Sequence, residues 1–77
     1  MSEIKTRMLD ALKTKYQGEY KSAHATLEIY LNNPVGIGEH PQHLEEMDKI
    51  IGQMADAQDK IDIINTEYAG ESETLLG

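Results

Sequence analysis

Cysteine, tryptophan and phenylalanine are absent from this 77-residue chain, and only two prolines interrupt it. Without cysteine the chain has neither a disulfide framework nor a thiolate metal site, which fits a reducing compartment. No apolar run approaches the roughly 18–20 residues that cross a bilayer, and the N-terminus has no apolar signal-peptide core. We therefore expect a soluble, cytoplasmic protein with no membrane partner.

Basic residues are scarce as well, and the net charge is −7. This balance argues against direct binding to nucleic acid, which requires a basic surface. Residues 1–31 hold five basic and four acidic residues (+1), whereas residues 39–77 hold two basic and ten acidic residues (−8). The simplest interpretation is that the acidic half keeps the protein soluble. The alternative is a surface that mimics nucleic acid or attracts cations.

Apolar residues predict a first helix over about residues 2–32. They recur in steps of three or four, as one face of a helix requires. The positions are Ile4, Met8, Leu12, Tyr16, Tyr20, Ala23, Leu27 and Tyr30 or Leu31. Ser2 is a suitable N-cap. The helix must end before Pro34, because the residue preceding a proline is disfavoured in the α region.

A second helix is predicted over about residues 41–69. Its apolar residues follow alternating steps of three and four, the pattern of a coiled-coil seam. They are Met47, Ile50, Met54, Ala57, Ile61, Ile64 and Tyr68. Pro41 suits the first helical position, and Gly70 suits the end. A single domain over 1–70 and a flexible tail over 71–77 follow from this pattern.

The residues between the helices, 32–40, predict a structured turn. Both prolines of the chain lie at its borders. Gly36 and Gly38 are expected to reverse the chain, and Val35 and Ile37 to cover the end of the helix pair. The residues assigned to this turn are Asn33, Pro34, Val35, Gly36, Ile37, Gly38 and Pro41.

So short a connection predicts an all-α antiparallel hairpin of two helices. Because a two-helix core is thin for a chain of this size, we expect a homodimer that forms a four-helix bundle. Gly18 and Gly52 interrupt the two helices and suggest either close contact or tolerated weakness. The expected core and interface residues are Tyr16, Tyr20, Leu27, Met47, Ile50, Met54, Ile61, Ile64 and Tyr68.

The sequence offers no arrangement of nucleophile, base and orienting group, so we predict no catalytic residue, no cofactor and no enzyme. The leading functional interpretation is self-association and binding to another protein. A divalent-metal site is the alternative, and it would use Glu39, His40 and His43 near the turn. The Gly36-x-Gly38 pair lacks the preceding strand, third glycine and lysine of a phosphate-binding loop.

The segment from Tyr30 to His40, with the letters YLNNPVGIGEH, resembles a pattern in small uncharacterised proteins of marine tailed phages, including those of cyanobacteria. Those proteins are similar in length and place the segment between two helices. Gln42 stands where they often carry an acidic residue. The resemblance implies a phage-encoded protein in a host cytoplasm, and it implies no chemistry.

Overall fold

The computed structural model describes residues 3–32 and 42–68, which form two helices. Helix α1 is Glu3–Asn32 and helix α2 is Gln42–Glu67. The predicted all-helical, two-helix architecture is confirmed, and the described ranges contain no strand. The predicted turn from Asn33 to Pro41, including Glu39 and His40, lies outside the described residues, as does the tail.

The two helices pack side by side in opposite directions. The α1 residue number rises as the α2 number falls through four contacts: Lys5 with Tyr68, Lys13 with Asn65, Tyr16 with Lys60, and Tyr30 with His43. The molecule measures 54 × 18 × 15 Å, so it is one layer of helices thick. Neither helix is long and apolar enough to cross a membrane.

Helix α2 contributes the seam that its sequence pattern predicts. Ile50, Ala57, Ile61 and Ile64 are buried, and Met47 and Met54 between them are half-buried. The alternating steps of three and four keep one stripe facing the neighbouring helix over the whole length. The last residue of the predicted stripe, Tyr68, lies just past the helix and is 38% exposed.

Helix α1 faces its neighbour with a different stripe from the one predicted. The expectation that Ile4, Met8 and Leu12 continue the core face is wrong, since they are 69%, 62% and 41% exposed. Each step of four residues overshoots a full turn by about 40°, so repeated steps of four wind around the helix. The buried or half-buried stripe instead alternates three and four: Thr6, Leu9, Lys13, Tyr16, Tyr20, Ala23, Leu27 and Tyr30.

Lys13 occupies a seam position of α1 and is only 4% exposed. Its Nζ donates a hydrogen bond to Asn65 Oδ1 of α2 at 2.5 Å. The four-carbon stem of a lysine can lie along an apolar seam while its charged end reaches a polar group. A buried polar residue in a helical seam favours one register over others. Lys13 and Asn65 therefore help to set the alignment of the two helices.

Candidate functional site

A shallow apolar groove of about 370 Å³ lies between the N-terminal half of α1 and the C-terminal half of α2. We call it the open-end groove, because it lies at the end of the hairpin opposite the connection. It is lined by Lys5, Leu9, Leu12, Tyr16, Lys60, Ile63, Ile64 and Tyr68. None of the described residues that line it is acidic, although α2 as a whole is acidic.

The floor and the rims of the open-end groove differ in exposure. Ile64 is buried and Leu9 is half-buried, so both belong to the seam. Leu12 and Ile63, one from each helix, stand on the rims with 41% and 57% of their surface exposed. Full burial of such a side chain contributes roughly 1.5–3 kcal/mol. The rims therefore offer apolar surface that the hairpin leaves uncovered.

Two lysine–tyrosine pairs border the same groove. Lys5 Nζ lies 5.6 Å from the centre of the Tyr68 ring, and Lys60 Nζ lies 5.2 Å from that of Tyr16. In the first pair α1 supplies the lysine, and in the second α2 supplies it. Cations attract the negative face of an aromatic ring at these distances. The groove therefore has an aromatic ring and a positive charge at each end.

Lys60 remains charged throughout the neutral range. Its Nζ lies 3.0 Å from Asp56 Oδ2. The hydrogen bond to Asp56 raises the pKa of Lys60, and the charge of the same carboxylate adds to the rise, with smaller contributions from Tyr16 and Glu19. A lysine with a raised pKa holds its proton more firmly, so it serves as a fixed cation and not as a general base.

A second groove of about 480 Å³ continues along the same side of the hairpin towards the connection. Its lining is mostly polar and includes Glu19, Gln53 and Asp56. The Thr26 hydroxyl there donates to the Ser22 carbonyl oxygen at 3.0 Å. That hydroxyl is thereby tied to the helix backbone. Among the residues that the structure describes, neither His24 nor His43 lines this groove.

The two described histidines differ in their contacts: His43 meets the facing helix, and His24 meets a residue of its own helix. The ring of His43 is half-buried, with its centre 6.1 Å from that of Tyr30. His24 Nε2 lies 3.6 Å from Glu28 Oε2, one turn away on the same helix. Over residues 3–32 and 42–68, no group of three His, Asp or Glu side chains could hold a metal ion. Glu39 and His40, the other two residues of the alternative metal site, lie outside those ranges.

The structure places the predicted core and interface residues at three levels of burial. Ile50, Ile61 and Ile64 are buried and Tyr68 is exposed. The half-buried residues are Tyr16, Tyr20, Leu27, Met47 and Met54. The open-end groove brings Tyr16, Ile64 and Tyr68 together.

Sequence reasoning did not single out the other groove residues, such as Lys5, Leu12 and Ile63, as a group. The signal that could have found them is the alternating pattern of α1 from Thr6 to Tyr30. That pattern places Lys13 in the seam and turns Leu12 to its side. The alternating pattern therefore indicates how α1 is rotated about its own axis, and that rotation decides which residues lie beside the seam.

Comparisons with known proteins identify no relative. No family model, no curated protein and no solved structure matches the chain. The fold and the groove define the class as an all-helical hairpin with an uncovered apolar surface. The resemblance of residues 30–40 to phage proteins stays a prediction. Function must therefore be argued from the geometry of the helices themselves.

Proposed function

We propose that this chain is a non-enzymatic helical-hairpin protein that self-associates into a homodimer, a four-helix bundle, and acts by binding other proteins. The observation that carries the proposal is the amount of large apolar surface that the hairpin leaves uncovered. Within residues 3–32 and 42–68, nine large apolar side chains are exposed: Ile4, Met8, Leu12, Ile29, Leu31, Leu44, Ile51, Ile63 and Tyr68.

The buried core is small by comparison. Only five apolar residues of the described helices are buried, and Ala23 and Ala57 are two of them. Ordering one residue costs roughly 1–2 kcal/mol of conformational entropy, so a core of this size leaves little surplus for folding. Small domains without disulfides commonly gain the missing stability by association.

The solvent-exposed area of the chain also supports self-association. A compact protein of 8.7 kDa is expected to expose about 4,700 Å². This chain exposes 5668 Å², an excess of about 900 Å² over that expectation. One partner in a standard protein–protein interface buries about 800 Å². The whole chain, including the residues outside the described helices, therefore exposes more surface than a compact protein of its mass, by about the area that one partner of such an interface buries.

Sedimentation equilibrium and thermal unfolding over a wide range of protein concentration test this proposal. We expect a mass of twice the 8.7 kDa chain at micromolar concentration, and a Tm that rises with concentration, because association stabilises only the folded state. A folded monomer at all concentrations, with a constant Tm, would overturn the proposal.

A further inference from the structure

We propose that self-association uses the open-end groove. A second copy covers the groove with each of its helices antiparallel to the same helix of the first copy. The two-fold axis is perpendicular to the helices and passes beside Leu12 and Ile63. In this arrangement α1 packs on α1 of the second copy and α2 packs on α2. The inference rests on the proposed function and adds to it the face and the direction of the contact.

The charge pattern of α1 supports the two-fold axis. Lys5, Leu12 and Glu19 are spaced by seven residues, so they form one line along the helix, about 10 Å apart. Lys5 and Leu12 line the open-end groove, and Glu19 lines the groove that continues it. When two such lines run antiparallel about Leu12, each Lys5 lies opposite Glu19 of the other copy.

Helix α2 repeats the pattern with its own residues. Lys60 and Glu67 are seven residues apart, and Ile63 lies near the middle of that interval. An antiparallel copy centred half a residue beyond Ile63 brings Lys60 opposite Glu67 of that copy. Two apolar pairs then occupy the centre, and four pairs of opposite charge surround them. An isologous interface requires such a self-complementary pattern.

The other two-fold packing of the same face, with the axis along the helices, is less favourable. It places α1 on α2 of the second copy at the same level along the hairpin. When Leu12 of one copy lies opposite Ile63 of the other, Glu19 lies opposite Asp56, so two acidic residues would face each other. Like charges placed together disfavour an interface. Charge therefore selects the antiparallel arrangement.

Single-cysteine variants test the position of the axis, since the natural chain contains no cysteine. A residue beside a two-fold axis lies opposite the same residue of the second copy. Two such cysteines can bring their Cβ atoms to the separation of about 3.5–4.5 Å that a disulfide needs. We expect Leu12→Cys and Ile63→Cys to form disulfide-linked dimers nearly completely under mild oxidation. Ile51→Cys, on the opposite side of α2 and with an exposure between those of Leu12 and Ile63, should remain mostly unlinked.

Charge exchange tests the direction. We expect Lys5→Glu and Glu19→Lys each to weaken dimerisation at low salt about fivefold or more, because each creates two like-charge pairs per dimer. The double variant should return to within about twofold of the natural protein. Lys21→Glu is the matched control, since Lys21 lines a groove on the opposite side, and its effect should be small.

The outcomes separate this inference from the proposed function. A natural chain that stays monomeric overturns both. A dimer that links through Ile51→Cys as readily as through Leu12→Cys overturns the assigned face alone. A dimer that links through Leu12→Cys but shows no rescue in the Lys5→Glu, Glu19→Lys double variant overturns the antiparallel direction.

Discussion

Helix α2 fills its seam almost entirely with aliphatic side chains, whereas α1 fills the facing seam with a mixture of polar, aromatic and aliphatic ones. Ile50, Ile61 and Ile64 are buried on α2; on α1 the only fully buried residues are Lys13 and Ala23. Leu9 and Leu27 of α1 are only half-buried in its seam, and Leu12 lies beside the seam, where it borders the open-end groove. Helix α2 therefore supplies most of the buried aliphatic surface of the hairpin, and both helices contribute to the apolar surface that is left for a partner.

The largest expected effect is the loss of the α2 seam. Ile61→Asp should lower the free energy of unfolding by about 4 kcal/mol or more, because it removes a buried side chain and introduces an unpaired charge. That is a large part of the roughly 4–12 kcal/mol expected for a chain of this length. Circular dichroism at 222 nm should show an unfolded or strongly destabilised protein.

Two further variants allow the contribution of the α2 seam to be compared with that of the α1 seam. Ile51→Asp places the same charge on the exposed side of α2 and should cost less than about 1 kcal/mol. Leu27→Asp, at a half-buried seam position of α1, should fall between the two. Equal losses for Leu27→Asp and Ile61→Asp would contradict the assignment of the stabilising role to α2.

A smaller effect is expected where the two helices join through polar groups. Asn65→Ala should lower stability by about 1–2 kcal/mol, because it leaves the buried Lys13 ammonium without its hydrogen-bond acceptor. In a Lys13→Met background the same substitution should cost almost nothing. Urea unfolding of the four proteins gives the coupling between the two sites. Additive losses would mean that the hydrogen bond contributes nothing to the alignment.

Substitution of either helical glycine by alanine should have the same effect, in contrast to substitutions in the two seams. A Cβ added at Gly18 or Gly52 would meet nothing within 4 Å, so the sequence-based suggestion of close contact has no support within the hairpin. Gly18→Ala and Gly52→Ala should each stabilise the protein by about 0.5–1 kcal/mol. Thermal melts would show the gain. A loss at either position would indicate a neighbour there, such as a second copy.

The smallest effect concerns pH. Because the pKa of Lys60 is raised in the folded protein, its contribution is fully present below the unfolded pKa of about 10.4 and is lost as pH rises through the higher folded value. The Tm difference between the natural chain and Lys60→Gln should therefore be constant from pH 7 to 10 and shrink above that. A difference that grows with alkaline pH would reverse the assigned sign.

Much of α2 could be predicted from sequence, and less of α1. The steps of three and four from Met47 to Ile64 match one stripe of a helix that packs on another, so the pattern and the packing coincide. On α1 the steps of four from Ile4 to Leu12 describe a stripe that winds away from α2. The alternating pattern of α1 places Lys13 in the seam, but its hydrogen-bond partner could not be predicted, because Asn65 is 52 residues away in the chain.

The open-end groove could not be predicted as a site from the sequence, for a related reason. The open-end groove exists only where two helices meet, and its lining depends on how far each is rotated about its own axis. The pairing of Lys5 with Tyr68 and of Lys60 with Tyr16 joins residues far apart in the chain. Helical periodicity within either segment carries no information about such pairs.

The measurement that tests the central claim most directly is sedimentation equilibrium of the natural chain beside Leu12→Asp. We expect the natural chain to be a dimer at micromolar concentration. The variant should be monomeric at that concentration and should melt at a lower temperature than the natural chain, because Leu12 is exposed in the hairpin and would be buried only in the dimer. A natural chain that is a stable monomer, or a Leu12→Asp variant that dimerises equally well, would contradict this claim.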